Sequence, residues 1–202
     1  MTTRLRRRLA LGLAVGLVAL GSAGCSDDST AASPTPAPSS AGPVMPSGTA
    51  TTGIAVSGQG YSFDAPSGWA DTSAQKKQQF PQVDSSADDL STSGGLTDNV
   101  NVIVSDKRRI KSQAKAERIL RRDLGEVGKR VKILDPVDLD GETAYHATAR
   151  IKVGKIRVRT TQYFAKHDKA WYLLTFSYGP STDPEAEAEQ IQSVLDSWSW
   201  KD

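Results

Sequence analysis

The chain has 202 residues, enough for one ordinary domain with additional segments. Charged residues make up 24% and hydrophobic residues 38%, and the mean hydropathy is -0.40. These values exclude a multi-span membrane protein, a collagen and a fully disordered chain. A single cysteine excludes a disulfide framework, and together with two histidines it leaves little material for a transition-metal site.

The N-terminus has the pattern of an export signal. Four arginines between Arg4 and Arg8 precede the apolar block Leu9–Leu20, which is twelve residues long. A membrane-spanning helix needs about 20 apolar residues, whereas a secretory signal needs only about 7–15. These arginines also account for the positive net charge of the whole chain, which is +2. Beyond residue 24 the chain has 21 basic and 23 acidic side chains, a net charge of -2.

The only cysteine, Cys25, follows three small residues at the point where an export signal would be cut. This arrangement resembles a bacterial lipobox, except that the lipobox prefers Leu where this chain has Ser22. The resemblance implies that residues 1–24 are a lipoprotein signal peptide and that the Cys25 thiol is acylated. Because each buried methylene contributes about 0.8 kcal/mol, acyl chains would hold the protein at the outer face of the cell membrane. The alternative is a chance thiol near an ordinary cleavage site.

The segment after the cysteine has the composition of a tether. Residues 26–53 are dominated by Ser, Thr, Ala, Pro and Gly and hold five of the ten prolines, and the first aromatic residue is Tyr61. Such a segment cannot bury enough apolar surface to offset the entropy of ordering, so we expect it to be disordered. The chain therefore divides into a signal peptide (1–24), a lipid anchor with a tether (25–53) and one folded domain (54–202).

Within the folded part, short strands and two main helices are expected. The short links at Gly154-Lys155 and His167–Lys169 are too short for parallel crossovers, so the later strands should form an antiparallel meander. The patterns of apolar residues and turn signals predict the following elements in chain order: a strand from Tyr61, a helical turn at Gln75–Phe80 in the otherwise polar stretch 70–99, a strand at Val100–Ser105, a helix at Ala114–Val127 capped by Ser112, a strand at Lys129–Leu134 ending before Pro136, an Asp140-Gly141 turn, strands at Thr143–Val153, Ile156–Lys166 and Ala170–Tyr178, and a helix opened by a capping box of Thr182 and Glu185.

Two segments resemble a known family. Tyr61–Trp69 (YSFDAPSGW) resembles the opening of PsbP-like domains, including LpqN-type lipoproteins, and Trp171–Ser177 followed by a helix and Leu195–Trp200 resembles their closing strand–helix–strand unit. The resemblance implies an α/β fold in which an antiparallel sheet is flanked by helices, an α/β/α sandwich. Members of this family are mostly accessory or binding proteins without a shared active site, so no catalytic residue is carried over.

The sequence offers no catalytic or metal-binding constellation. It lacks a phosphate-binding Gly-Lys-Ser/Thr loop, a Gly-x-Ser-x-Gly elbow and a His-Glu-x-x-His motif. We therefore predict no catalytic residues, no metal and no cofactor. His146 lies on the polar side of its strand and His167 in a turn, so both are expected in solvent. The acidic residues between 135 and 142 fit strand and turn, and Trp69, Trp171, Trp198 and Trp200 are expected to pack in the core rather than line a sugar or lipid pocket.

Charge is distributed unevenly along the chain. Residues 107–159 hold sixteen basic and seven acidic side chains, including Lys107, Arg108, Arg109 and Lys111, whereas the segments on both sides are acidic. If Gly154-Lys155 is a two-residue turn, Arg150 faces Arg159 and Lys152 faces Arg157. Like charges directly across strands are destabilising, so these four residues are the candidate anion-binding patch. The alternative is that they extend into water or pair with the acidic flanks.

These observations predict a non-catalytic binding or accessory module attached to the membrane by its lipid anchor. Its partner would be an anionic envelope component or a protein, and nucleic acid is not expected in that compartment. Two alternatives remain open: a hydrolase or transferase acting on the cell envelope, and a structural partner in a membrane complex.

Overall fold

The structure is a computed structural model that describes residues 53–92, 96–106 and 112–201. The predicted signal peptide, Cys25 and the tether up to residue 52 lie outside the described residues. The same holds for the four basic residues between 107 and 111 that the charge analysis singled out.

Ten strands and three helices make up the described part of the chain, in the following order: β1 (Ala55–Gly58), β2 (Tyr61–Asp64), β3 (Ala70–Asp71), α1 (Ser73–Gln79), β4 (Ser85–Asp88), β5 (Asn99–Ser105), α2 (Gln113–Val127), β6 (Gly128–Leu139), β7 (Glu142–Val153), β8 (Ile156–His167), β9 (Ala170–Tyr178), α3 (Pro184–Asp196) and β10 (Ser199–Trp200).

All strand pairs are antiparallel. The main sheet has seven strands in the order β3-β4-β5-β9-β8-β7-β6, and a second sheet has the order β1-β2-β10. The meander β6 to β9 follows from its short turns, as predicted. With helices packed on the sheet, this is the expected antiparallel α/β fold.

The two faces of the main sheet bury different elements. On one face α2 packs over β6 and β7, and its buried residues Ala116, Leu120 and Leu124 join Phe164 and Trp171 in one cluster. Their i, i+4, i+8 spacing is the stripe that the sequence predicts.

On the opposite face lie α3 and the small sheet. Val194 and Leu195 of α3 are buried in the larger core cluster, and Trp198 stacks on Tyr61 with ring centroids 4.5 Å apart. Trp69 and Trp171 are also buried, at 4% and 5% exposure. Three of the four tryptophans are thus fully core residues, and Trp200 packs against the core from its edge, as predicted.

The start of α3 differs from the prediction. The N-cap is Asp183, whose Oδ1 accepts hydrogen bonds from the backbone N–H of Glu185 (2.8 Å) and Ala186 (3.4 Å). The Thr182 hydroxyl instead donates to the buried carboxylate of Asp98. The predicted capping box is wrong because a partner distant in sequence takes the threonine and leaves the aspartate to cap the helix.

β6 also differs from the prediction, since it continues through Pro136 to Leu139 instead of ending before the proline. Its pairing with β7 shifts register between Lys129 and Lys132 and again between Leu134 and Val137. β6 is an edge strand, where a proline costs no hydrogen bond on the solvent side.

The turns between the late strands agree with the sequence. Asp140 and Gly141 have φ values of 49° and 83°, as a type I′ turn requires at both central positions. Gly154 has a φ of 59°, which suits the first central position of a type II′ turn and disfavours residues with a side chain. This turn sets the register of the basic hairpin.

Candidate anion-binding site

The β7–β8 hairpin brings the four predicted cations into opposing pairs. Arg150 lies opposite Arg159 and Lys152 lies opposite Arg157, while Ile151 lies opposite Val158 on the other face. The predicted register is therefore confirmed.

A cleft of about 500 Å³ lies between the β6–β8 part of the sheet and the N-terminal half of α3. We call it the basic cleft. Its charged lining consists of Arg130, Lys132, Arg150, Arg159 and Glu187. Its size falls in the range of small-molecule sites, roughly 300–1,000 Å³. Two of the four predicted cations, Arg150 and Arg159, line it.

Arg159 is already engaged by the protein itself. Its Nε donates to Glu187 Oε2 at 2.6 Å and one terminal nitrogen donates to the Thr182 carbonyl at 2.7 Å. The Arg159 side chain is 27% exposed and that of Glu187 13%. The predicted alternative, pairing with the acidic flank, therefore holds for this one arginine, and its structural effect is to fasten α3 to β8.

The contact between Arg159 and α3 belongs to a larger network. Asp98, only 2% exposed, accepts from the Gly179 N–H at 2.7 Å and from the Thr182 hydroxyl. The loop between β9 and α3 is thus held from both sides, and the α3 wall of the basic cleft is fixed in place.

Sequence analysis missed the contribution of β6 to the cleft. Arg130 has a φ of 57°, rare for a residue with a side chain, at the register shift between Lys129 and Lys132. Such bulges redirect side chains, and here Arg130 and Lys132 both line the cleft. The cluster of basic residues at 129–132 could have indicated that β6 contributes positive charge. The bulge that directs two of them into the cleft cannot be predicted from residue spacing.

Arg130, Lys132 and Arg150 are exposed, and none forms an ion pair with a carboxylate within the described ranges. The other two predicted cations, Lys152 and Arg157, are exposed at the tip of the hairpin and do not line the cleft. The candidate patch therefore divides into a cleft part and a tip part.

Both histidines depart from the expected solvated state. His146 is only 9% exposed and stacks on Tyr163 with ring centroids 4.8 Å apart, and its Nδ1 has no hydrogen-bond partner in the described part of the chain. Burial lowers the pKa of His146, and the charge of Asp135 opposes that shift in part. His167 stacks on Trp200 at 4.4 Å, and its Nδ1 lies 3.2 Å from Glu142 Oε1. The prediction that His146 lies in solvent, made from the alternation of its strand, is wrong because α3 and the small sheet cover that face of the main sheet.

The acidic residues near the β6–β7 turn serve the fold, as predicted. Asp138 accepts from the Gly141 N–H at 3.1 Å, and Asp140 accepts from the Trp200 N–H at 2.9 Å. Over residues 53–92, 96–106 and 112–201, no group of three or more His, Cys, Asp or Glu side chains is arranged to hold a metal ion. No helix in those ranges has the length and apolar character to span a membrane.

A second polar region, on the α2 side of the sheet, is buried. We call it the buried polar strip; it crosses β4, β5, β9 and β8 and consists of Ser86, Asp88, Asn99, Asn101, Ser177, Thr175, Thr160 and Gln162. At its β4 end Asp88 forms an ion pair of 2.9 Å with Lys76 of α1. At its β8 end the Thr160 hydroxyl and the Gln162 side-chain carbonyl have no hydrogen-bond partner among the residues that the structure describes.

Comparison with known proteins supports the fold. No protein-family model and no curated protein matches the sequence. Among solved structures, the chain is similar to LpqN of Mycobacterium tuberculosis, described as involved in cell envelope biogenesis (9% identity, 72% of this chain and 86% of that one, TM-score 0.52). It is also similar to the Ran-binding protein Mog1p of Saccharomyces cerevisiae (8% identity, 70% and 90%, TM-score 0.50). The cyanobacterial PsbP of Synechocystis matches at 18% identity over 79% and 98%, with a TM-score of 0.48.

At these identities the likeness shows the fold alone. The domain therefore shares its antiparallel α/β fold with LpqN and Mog1p.

Proposed function

We propose that this protein is a lipid-anchored binding module that captures an anionic component of the cell envelope through the basic cleft and the adjacent hairpin tip. In this proposal Cys25 carries the acyl chains at the outer face of the membrane, and residues 25–53 hold the domain away from it. The domain binds its ligand without chemical change.

One observation carries the proposal. The cleft gathers three exposed cations, Arg130, Lys132 and Arg150, that have no ion-pair partner among the described residues, although Glu187 stands in the same cleft and neutralises Arg159. Arg150 lies opposite Lys129 on β6 as well as opposite the neutralised Arg159 on β8. Opposing like charges reduce stability by a few tenths of a kcal/mol per pair. Glu187 offsets the charge of Arg159 only, so the remaining positive charge is what an anion from outside the domain would offset.

The binding role is tested with vesicles containing anionic phosphatidylglycerol and with isolated cell-wall fragments. The triple variant Arg130→Gln, Lys132→Gln, Arg150→Gln should bind both less tightly, and added salt should weaken binding by the unaltered protein. A matched control removes three exposed cations elsewhere: Arg121→Gln, Lys166→Gln, Lys169→Gln. If both triple variants lose binding affinity equally, net charge alone accounts for the binding, and the proposal is contradicted.

The anchor is tested separately. Radiolabelled palmitate should be incorporated into the native protein and not into Cys25→Ser, which should also leave the membrane fraction. An unlabelled native protein that is freely dissolved would contradict the anchoring part and leave the binding part standing.

A further inference from the structure

The basic cleft has two walls of different chemistry. One wall, from β6 and β7, carries the cations Arg130, Lys132 and Arg150. The other wall is the part of α3 between residues 184 and 191, which presents Pro184, Ala188 and Ile191 to the cleft. A ligand that fills the cleft therefore meets cations on one side and, beside the Arg159–Glu187 pair, hydrocarbon on the other.

Hydroxyl groups lie between these walls. Thr148 and Thr161 line the cleft and face each other across β7 and β8, and Thr148 also lies opposite Lys132 of β6. Each hydroxyl can donate one hydrogen bond and accept others. The cationic wall thus continues into groups that can bind further oxygen atoms.

The number of donors favours a phosphate over a carboxylate. Two guanidinium groups, one ammonium group and two hydroxyls exceed what the two oxygens of one carboxylate can use. A phosphate monoester presents three strong acceptor oxygens and a charge near -2, and the planar guanidinium matches phosphate geometry. Arg130, Lys132 and Arg150 are therefore suited to a phosphate group.

The Arg159–Glu187 pair explains where the phosphate would not lie. Glu187 projects from α3 and holds Arg159 at 2.6 Å, so this end of the cleft carries little net charge and one carboxylate. A phosphate is repelled from that end and drawn to the wall of β6 and β7. Its substituent then extends towards the apolar residues of α3.

We propose that the basic cleft binds a phosphate monoester of an apolar alcohol, with the phosphate on Arg130, Lys132 and Arg150 and the hydrocarbon against Pro184, Ala188 and Ile191. This inference rests on the proposed function, because it names the class of anion that the cleft takes. Arg159 is a positioning residue that fixes the α3 wall.

The test is calorimetric titration of the full-length protein in an uncharged maltoside detergent. The probes are hexyl phosphate, glycerol 3-phosphate, inorganic phosphate and hexanol. Hexyl phosphate should bind about tenfold or more tightly than glycerol 3-phosphate, because part of its chain is buried at about 0.8 kcal/mol per methylene. Hexanol should not bind detectably.

Two variants separate the walls. Arg150→Gln should weaken hexyl phosphate and glycerol 3-phosphate alike, by about tenfold, since it removes a charge-assisted hydrogen bond. Ala188→Glu places a carboxylate on the exposed α3 wall and should weaken hexyl phosphate most strongly. Ser193→Glu, an exposed position on α3 that does not line the cleft, is the matched control and should have little effect.

Three outcomes would overturn the inference. Equal affinity for hexyl phosphate and glycerol 3-phosphate would mean that the α3 wall takes no part and that the ligand is a polar phosphate. Equal losses in Ala188→Glu and Ser193→Glu would place the hydrocarbon elsewhere. If no phosphate probe binds while anionic vesicles still bind, the inference is wrong, and the proposed function then depends on the hairpin tip. If the vesicles do not bind either, both the inference and the proposed function are wrong.

Discussion

Lys76 and Arg150 show two opposite ways in which this protein accommodates a cation. Lys76 is 5% exposed and pairs with the buried carboxylate of Asp88 at 2.9 Å, at the end of the buried polar strip. Arg150 is exposed, lies opposite another arginine and has no ion-pair partner among the described residues. The interior charge is neutralised because burial of an unpaired charge is very costly. The surface charge stays unpaired because water solvates it, and it remains available to a ligand.

Removal of the partner in the interior pair should have the largest effect. Lys76→Met leaves Asp88 buried without its counter-charge, so the free energy of unfolding should fall by about 3–5 kcal/mol. Urea denaturation measures this change. The double variant Lys76→Met, Asp88→Asn should recover part of the loss, since it removes the uncompensated charge. A loss near zero in Lys76→Met would mean that Asp88 is hydrated in the folded protein.

The ion pair inside the basic cleft should have an intermediate effect. Arg159→Gln removes the bonds to Glu187 and the Thr182 carbonyl, so the protein should lose about 1–2 kcal/mol of stability. Arg157→Gln, the adjacent exposed arginine on the same strand and face, is the matched control. Equal thermal midpoints for the two variants would contradict a role for Arg159 in fastening α3.

The pH dependence of stability should reflect His146. Burial lowers the pKa of His146 in the folded state, so below about pH 6.5 the unfolded chain takes up a proton before the native protein does. Stability should therefore fall as the pH drops through the ordinary histidine pKa towards the lowered native value. The unfolding free energy of the native protein minus that of His146→Phe should therefore decrease as the pH is lowered from 7 to 5. A difference that is constant with pH would show that His146 is solvated in both states.

Relief of the surface repulsion should have the smallest effect on stability, with the opposite sign. Arg150→Gln removes a positive charge that faces Lys129 on β6 and Arg159 on β8, so the unfolding free energy should rise by a few tenths of a kcal/mol. Matched urea melts at low ionic strength, where screening is weak, can detect this change. A clear destabilisation would mean that Arg150 has a structural partner and is not held free for a ligand.

The strands from β7 to β9 could be predicted closely from the sequence. The short turns that precede β7, β8 and β9 contain Gly141, Gly154 and Asp168, respectively, at positions with positive φ, and such turns set the pairing of the residues that follow. The pairing of Arg150 with Arg159 is a direct consequence of one such turn. α2 and α3 were also evident, because their apolar stripes have helical spacing.

β4 could not be predicted, for a physical reason. Its sequence, Ser85–Asp88, has the composition of a loop, yet all four residues are buried. Their burial depends on pairing with β5 and on the approach of Lys76 from α1. Neither contact leaves a periodic pattern in the local sequence.

Turn chemistry and apolar periodicity are local, so the chain alone decided the antiparallel meander, the register of the β7–β8 hairpin and the pairing of like charges on it. The cleft required long-range packing. A bulge in β6 directs Arg130 into the cleft, Asp98 holds the loop before α3, and α3 forms the opposite wall. These contacts join residues far apart in sequence. Only the tertiary structure therefore decided that Arg150 and Arg159 share a cleft, and that Arg159 forms an ion pair within the protein.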